Sequence, residues 1–95
     1  MKDNKLINTR EVVSVQGSST KSKEDALGNA FAMLQKAVSG RVKGIIVYMR
    51  PVDVEVEDYR ETKKKERYLG ILFSREKTTY SVKIRVEVEV SAIDL

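Results

Sequence analysis

At 95 residues, 41% hydrophobic and 34% charged, the chain has the size and balance of one globular domain with a modest core, and its formal charge of +4 is too small to demand a nucleic-acid partner. It has no cysteine and no histidine, which excludes disulfides, thiolate metal sites, thiol catalysis and every mechanism that needs an imidazole. No apolar run is long enough to cross a bilayer and the N-terminus lacks the apolar core of a signal peptide, so the sequence reads as that of a cytoplasmic protein.

Residues 1–8 are polar apart from Met1, Leu6 and Ile7 and read as a flexible tail. From Arg10 to Gln16 a weak alternation sets Val13 and Val15 against Val12, Ser14 and Gln16, the pattern of a short first strand that Gly17 and the cluster Ser18-Ser19-Thr20 bring to an end. A helix follows. Ser22 has the character of an N-cap, Glu24 and Asp25 lie in the first turn, and Ala26, Leu27, Ala30, Phe31, Leu34, Ala37 and Val38 fall on one helical face. Gly40 stops the helix.

Beyond it, Ile45-Ile46-Val47-Tyr48-Met49 is apolar on both faces, Pro51 interrupts, and Val52, Val54 and Val56 then alternate with Asp53, Glu55 and Glu57. Proline belongs at an edge or a bulge, so 43–58 reads as one long bent edge strand or as two short ones. A turn at Asp58 to Thr62 would lead into a further strand over 63–73, and Ser74 to Lys77 would turn the chain into the last one. That last strand is the clearest feature of the sequence. Tyr80, Val82, Ile84, Val86, Val88 and Val90 alternate without fault with Ser81, Lys83, Arg85, Glu87 and Glu89.

Charge suggests how the later strands pair. Folding 52–58 against 63–73 places Glu57 near Lys63, Glu55 near Lys65 and Asp53 near Arg67; pairing 63–73 with the last strand places Lys65 near Glu87 and Lys63 near Glu89. The expected fold is therefore α+β and two-layered, one helix packed on a mainly antiparallel, curved sheet of three to four strands in the order β-α-β-β-β. Whether the first and last strands run parallel or antiparallel depends on whether Pro51 reverses the chain, which the pattern leaves open.

The same register gathers Ile45, Val47, Met49, Leu69, Ile71 and Phe73 on the face that one helix leaves uncovered, an apolar patch of the kind that marks an interface. Lys63, Lys64, Lys65 and Arg67 form the obvious basic run, a candidate contact for an anion or nucleic acid, but Glu55, Glu57, Glu87 and Glu89 would neutralise it in that register, and the reading goes against a nucleic-acid partner. Those four glutamates, exposed and opposite lysines, do not read as an acid/base pair or a cation site. Gly17-Ser18-Ser19-Thr20 lacks the spacing of a phosphate loop.

Glu11-Val12-Val13-Ser14-Val15-Gln16-Gly17-Ser18-Ser19, Ser22 with Glu24-Asp25-Ala26 opening an alanine-rich helix, and Tyr80-Ser81-Val82 in an alternating last strand resemble dodecin. The resemblance implies a helix lying on a curved sheet and a tendency to form homo-oligomers. Dodecins stack flavin on a tryptophan, and this chain has none, so no cofactor is carried over. Arg50-Pro51-Val52-Asp53-Val54-Glu55-Val56, Thr78-Thr79-Tyr80 and the ending Ala92-Ile93-Asp94-Leu95 are similar to an uncharacterised bacterial family of small cytoplasmic proteins. That likeness implies partners encoded nearby, membrane proteins and sugar-acid enzymes among them. The functional expectation is a non-enzymatic, oligomeric accessory or assembly protein. The alternatives are a small-ligand module with its site between subunits, and a weak nucleic-acid binder through the basic run.

Overall fold

The alternation from Tyr80 to Val90 defines the core. Val82, Ile84, Val86, Val88 and Val90 are all buried, and Ala92 continues the row. The computed structural model describes residues 5–68 and 73–94, and five elements account for nearly all of them: β1 (Lys5–Ser19), α1 (Lys23–Ala32), α2 (Leu34–Ser39), β2 (Ile45–Tyr68) and β3 (Phe73–Asp94). The sheet has the order β1-β3-β2 with every neighbour antiparallel. The expected α+β, two-layer arrangement is present, with three strands.

Two strands expected at 43–58 and 63–73 are one. β2 runs without reversal through Asp58 to Thr62 and pairs with β3 as far as Tyr68 opposite Phe73. Removing one reversal fixes the topology. β1 and β3 are antiparallel because no turn forms at Asp58 to Thr62, and Pro51 bends nothing back. Residues 5–8, read as tail, extend β1, with Lys5 opposite Asp94 and Leu6 opposite Ile93.

Gly17 does not end β1. The strand continues to Ser19, and Gly17 lies buried inside it, where a Cβ would overlap the backbone of Ala26 and Ala30. The absence of a side chain on β1 and the small side chains on α1, both alanines fully buried, let the helix settle directly on the strand.

Ser22 caps α1 as its position suggests. Its backbone is extended and its Oγ accepts from the Asp25 amide at 3.0 Å. The Asp25 carboxylate in turn accepts from Ser19 Oγ at 2.6 Å, and Asn29 Nδ2 donates to the Ser18 carbonyl at 2.8 Å, tying α1 to the end of β1. The helical layer comes in two pieces. At Met33 the amide bonds to the Ala30 carbonyl, a tighter turn, before α2 brings Leu34 and Val38 into the core. Gly40 caps α2, and Gly44, at φ 98°, makes the approach to β2 against the Ile93 carbonyl that only glycine allows.

The helices lie over β1 and β3; β2 stays outside their cover. Width explains it. A helix is ~10 Å across and strands are ~4.8 Å apart, so one helical layer spans about two strands. β1 pairs with β3 only as far as Ser19 opposite Tyr80. Past that point Thr62–Tyr68 and Phe73–Thr79 continue as a two-stranded ribbon, seven residues of β2 reaching about 23 Å beyond the core.

The molecule is accordingly long. Its extents are 73 × 25 × 15 Å and its Cα radius of gyration is 19.0 Å, where a compact domain of this length has about 12 Å. It exposes 7303 Å², ~1,800 Å² more than a compact monomer of its 10.8 kDa mass.

Candidate interaction surface

Three register shifts decide which side chains of β2 face where. They fall between Ile46 and Tyr48, Pro51 and Asp53, and Val56 and Asp58, each adding a residue to β2 and none to β3. Each one reverses the phase of the alternation. Residues paired across antiparallel strands share a face. Met49, Val54, Val56 and Tyr59, opposite Val90, Val86, Ile84 and Val82, therefore lie on the helix side of the sheet. Arg50, Asp53, Glu55 and Asp58, opposite Glu89, Glu87, Arg85 and Lys83, lie on the other.

The helix side of β2 leaves apolar surface open. Met49 and Ile46 pack against the core, but Val54, Val56 and Tyr59 are 42%, 58% and 39% exposed, beside a groove of about 240 Å³ between α1 and β2 lined by Lys23, Glu24, Leu27, Val56, Tyr59 and Val82. Tyr59 is anchored at its far end: the phenol donates to Glu61 at 2.7 Å. First through that bond, then through partial desolvation and the carboxylate's charge, its pKa is pushed up to about 12.

The opposite face is polar and cross-linked. Arg85 pairs with Glu55 at 2.6 Å, Arg50 with Glu89 at 2.8 Å and Arg10 with Glu87 at 3.8 Å, while Ser14 Oγ donates to Glu57 at 2.7 Å across the width of the sheet. The hydrogen bond that Arg50 donates to Glu89 holds the guanidinium pKa above its ordinary value. These glutamates serve as cross-strand partners. Among the described residues, no group of three acidic side chains is placed to hold a metal ion.

Of the six residues expected to form an apolar patch, the described ones are spread along the sheet. Ile45 stands opposite Ile93 at one end of β2, Phe73 stands opposite Tyr68 at the other, and Met49 faces the helices. Val47 is exposed beside a register shift; Leu69 and Ile71 lie outside the described residues. The face expected to carry the patch is the ion-paired one. Val54, Val56 and Tyr59 are exposed on the helix side, while Ile45 and Tyr48, in register with Ile93 and Ser91, are exposed on the ion-paired side.

The basic run is also placed differently. Lys63 is opposite Thr78, Lys64 opposite Lys77, Lys65 opposite Glu76 and Arg67 opposite Ser74, so Glu55, Glu57, Glu87 and Glu89 are well away from it. Residues 60–77 hold seven basic residues against Glu61, Glu66 and Glu76, which is the whole of the chain's formal charge of +4. The ribbon is the basic part of an otherwise balanced molecule.

A family model described as "Domain of unknown function (DUF4312)" matches residues 9–93. The chain belongs to that family. The match spans most of β1, both helices, β2 and nearly all of β3, so the ribbon and the uncovered strand fall inside the DUF4312 domain. No curated protein and no solved structure matches the chain. Among its described residues, no helix is long and apolar enough to cross a membrane.

Proposed function

We propose that this protein is a non-enzymatic accessory or assembly protein that works as a homo-oligomer, with the uncovered helix side of β2 as its interface. One observation carries the reading: the helices cover β1 and β3 only, leaving Val54, Val56 and Tyr59 open along a strand with a free edge. The surplus of exposed surface supports it, since ~1,800 Å² is enough for two ordinary contacts of ~800 Å² per partner. The β-α-β-β order with one helical layer is compatible with the dodecin-like, oligomer-forming arrangement that the sequence resemblance implied, and the groove beside Tyr59 would then lie near the subunit boundary, where a small ligand has room.

Light scattering on the purified chain tests this. The expected mass is a multiple of 10.8 kDa, reduced in Tyr59→Lys, whose position is open enough in the single chain to spare the fold. A mass of one chain, unchanged with concentration, sinks the proposal.

The charge of the ribbon supports a second reading, nucleic-acid binding through Lys63, Lys64 and Lys65. A two-stranded ribbon fits the major groove of a duplex, and the carboxylates expected to neutralise these lysines are elsewhere. Its test is binding of a labelled 20-base-pair duplex. Affinity should fall steeply with salt, and the triple Lys→Ala variant should flatten that dependence; binding that ignores both rejects it.

A further inference from the structure

We propose that β2 pairs, antiparallel, with β2 of a second copy about a two-fold axis at Tyr59. The inference rests on the oligomeric reading above and gives it an edge-to-edge contact along the same strand.

β2 is an edge strand over its full 24 residues, so one side of its backbone has no partner strand among the described residues of the single chain. Such an edge is a template for another strand. The order of charge along it says which. Asp53, Glu55, Glu57 and Asp58 are followed by Arg60, Lys63, Lys64 and Lys65, with Glu61 the one acidic residue among the latter. An acidic half followed by a basic half is complementary to itself when reversed. This is the pattern that, read as a hairpin within one chain, predicted a turn at Asp58 to Thr62. The strand runs straight through that turn, and the complementarity is left for a second copy to satisfy.

The faces fix the register. A two-fold axis normal to the sheet keeps like faces on the same side, so paired residues must share a face. It also sets the residue on the axis against itself. Among residues 57–61, Glu57, Asp58, Arg60 and Glu61 would each meet their own charge, and only Tyr59 would not. An axis at Thr62 sets Arg60 against Lys64.

With Tyr59 on the axis, and the extra residue Glu57 passed over, Asp58 stands opposite Arg60 of the second copy and Asp53 opposite Lys64, each contact made twice. All four residues share the ion-paired face, in register with Lys83, Ser81, Glu87 and Lys77. On the helix side, Val54 meets the aliphatic stem of Lys63 of the second copy, and the two Tyr59 rings meet each other. The Asp58–Arg60 ion pair of 2.9 Å within each chain becomes half of a four-membered cluster. Pro51, with no N–H, ends the pairing just past Asp53.

The chain has no cysteine, so a single introduced thiol reports only on contacts between copies. In Tyr59→Cys the paired Cα atoms would be ~4.5–5.5 Å apart, within disulfide reach. Mild oxidation is expected to convert most of this variant to a covalent dimer, and to leave Val12→Cys, exposed on the opposite edge strand, as single chains. An oligomeric native mass with no cross-link in Tyr59→Cys overturns the strand pairing and leaves the oligomeric reading standing; a monomeric native mass overturns both. Charge reversal supplies an independent measure. Asp53→Lys/Asp58→Lys and Arg60→Glu/Lys64→Glu should each lose self-association, and mixing them should restore it. Failure of the mixture to associate overturns the register.

Discussion

Gly17 and Ala30 meet backbone to backbone: a Cβ at 17 would overlap the Ala30 amide nitrogen and the Ala26 carbonyl. No flexible side chain is there to move aside, so the helix itself would have to lift. Gly17→Val is expected to lower stability by at least the ~1–3 kcal/mol of an overpacked core, measured by urea denaturation. Gly28 is the contrasting case. A Cβ there meets nothing within 4 Å, and Gly28→Ala is expected to stabilise by ~0.5–1 kcal/mol through helix propensity.

The Ser22 hydroxyl caps the N-terminus of α1. Ser22→Ala should cost about 1 kcal/mol, whereas Ser22→Asp should cost little, since a carboxylate caps equally well. Thermal unfolding followed by far-UV circular dichroism distinguishes the two.

Ile84 stands between Val15 on β1 and Val56 on β2 and is fully buried. Ile84→Ala is expected to cost ~2–5 kcal/mol. Val56, in the same row but 58% exposed, should tolerate Val56→Ala with a small change in the single chain, and a larger one in the assembled protein. Denaturation midpoints at low and high protein concentration separate these contributions.

The Tyr59 phenol should titrate near pH 12, later than an ordinary tyrosine at ~10. Because the folded-state pKa is raised, the hydrogen bond to Glu61 contributes stability that is fully present below about pH 10 and is lost as pH rises through 12. Phenolate absorbance at alkaline pH reports it. In Glu61→Gln the titration should move back toward ~10.

β3 was legible because it holds one phase throughout, and the helical layer because its buried residues recur at helical spacing across the break at Met33. Every second residue from Val82 to Ala92 is buried, and Ser22, Ala26, Ala30 and Leu34 sit where helical spacing puts them. β2 was not, for two physical reasons. Periodicity places a residue on a face only while the phase is constant, and three added residues break it between Ile46 and Asp58; Met49 thus faces the core rather than solvent. Charge complementarity, moreover, says that Glu55 and Lys65 suit each other without saying whether they belong to one chain or two. The polar stretch Asp58 to Thr62 contains neither glycine nor proline, and that lack was the available sign that it does not turn. The exposure of Val54, Val56 and Tyr59 was foreseeable from the width of a helix against three strands.

The pairing of Lys5 with Asp94 has a consequence for how the chain reaches this state. β2 and β3 are joined by a short connection and can zip from the hairpin inward, but β1 must find β3 across nearly the entire sequence, a loop closure that is slow to form. Until it does, β3 has an open edge and a row of uncovered valines. During that interval β1 of a neighbouring chain fits the same edge as well as the chain's own. Refolding at high concentration is therefore expected to yield strand-exchanged species, and dilution during refolding to suppress them.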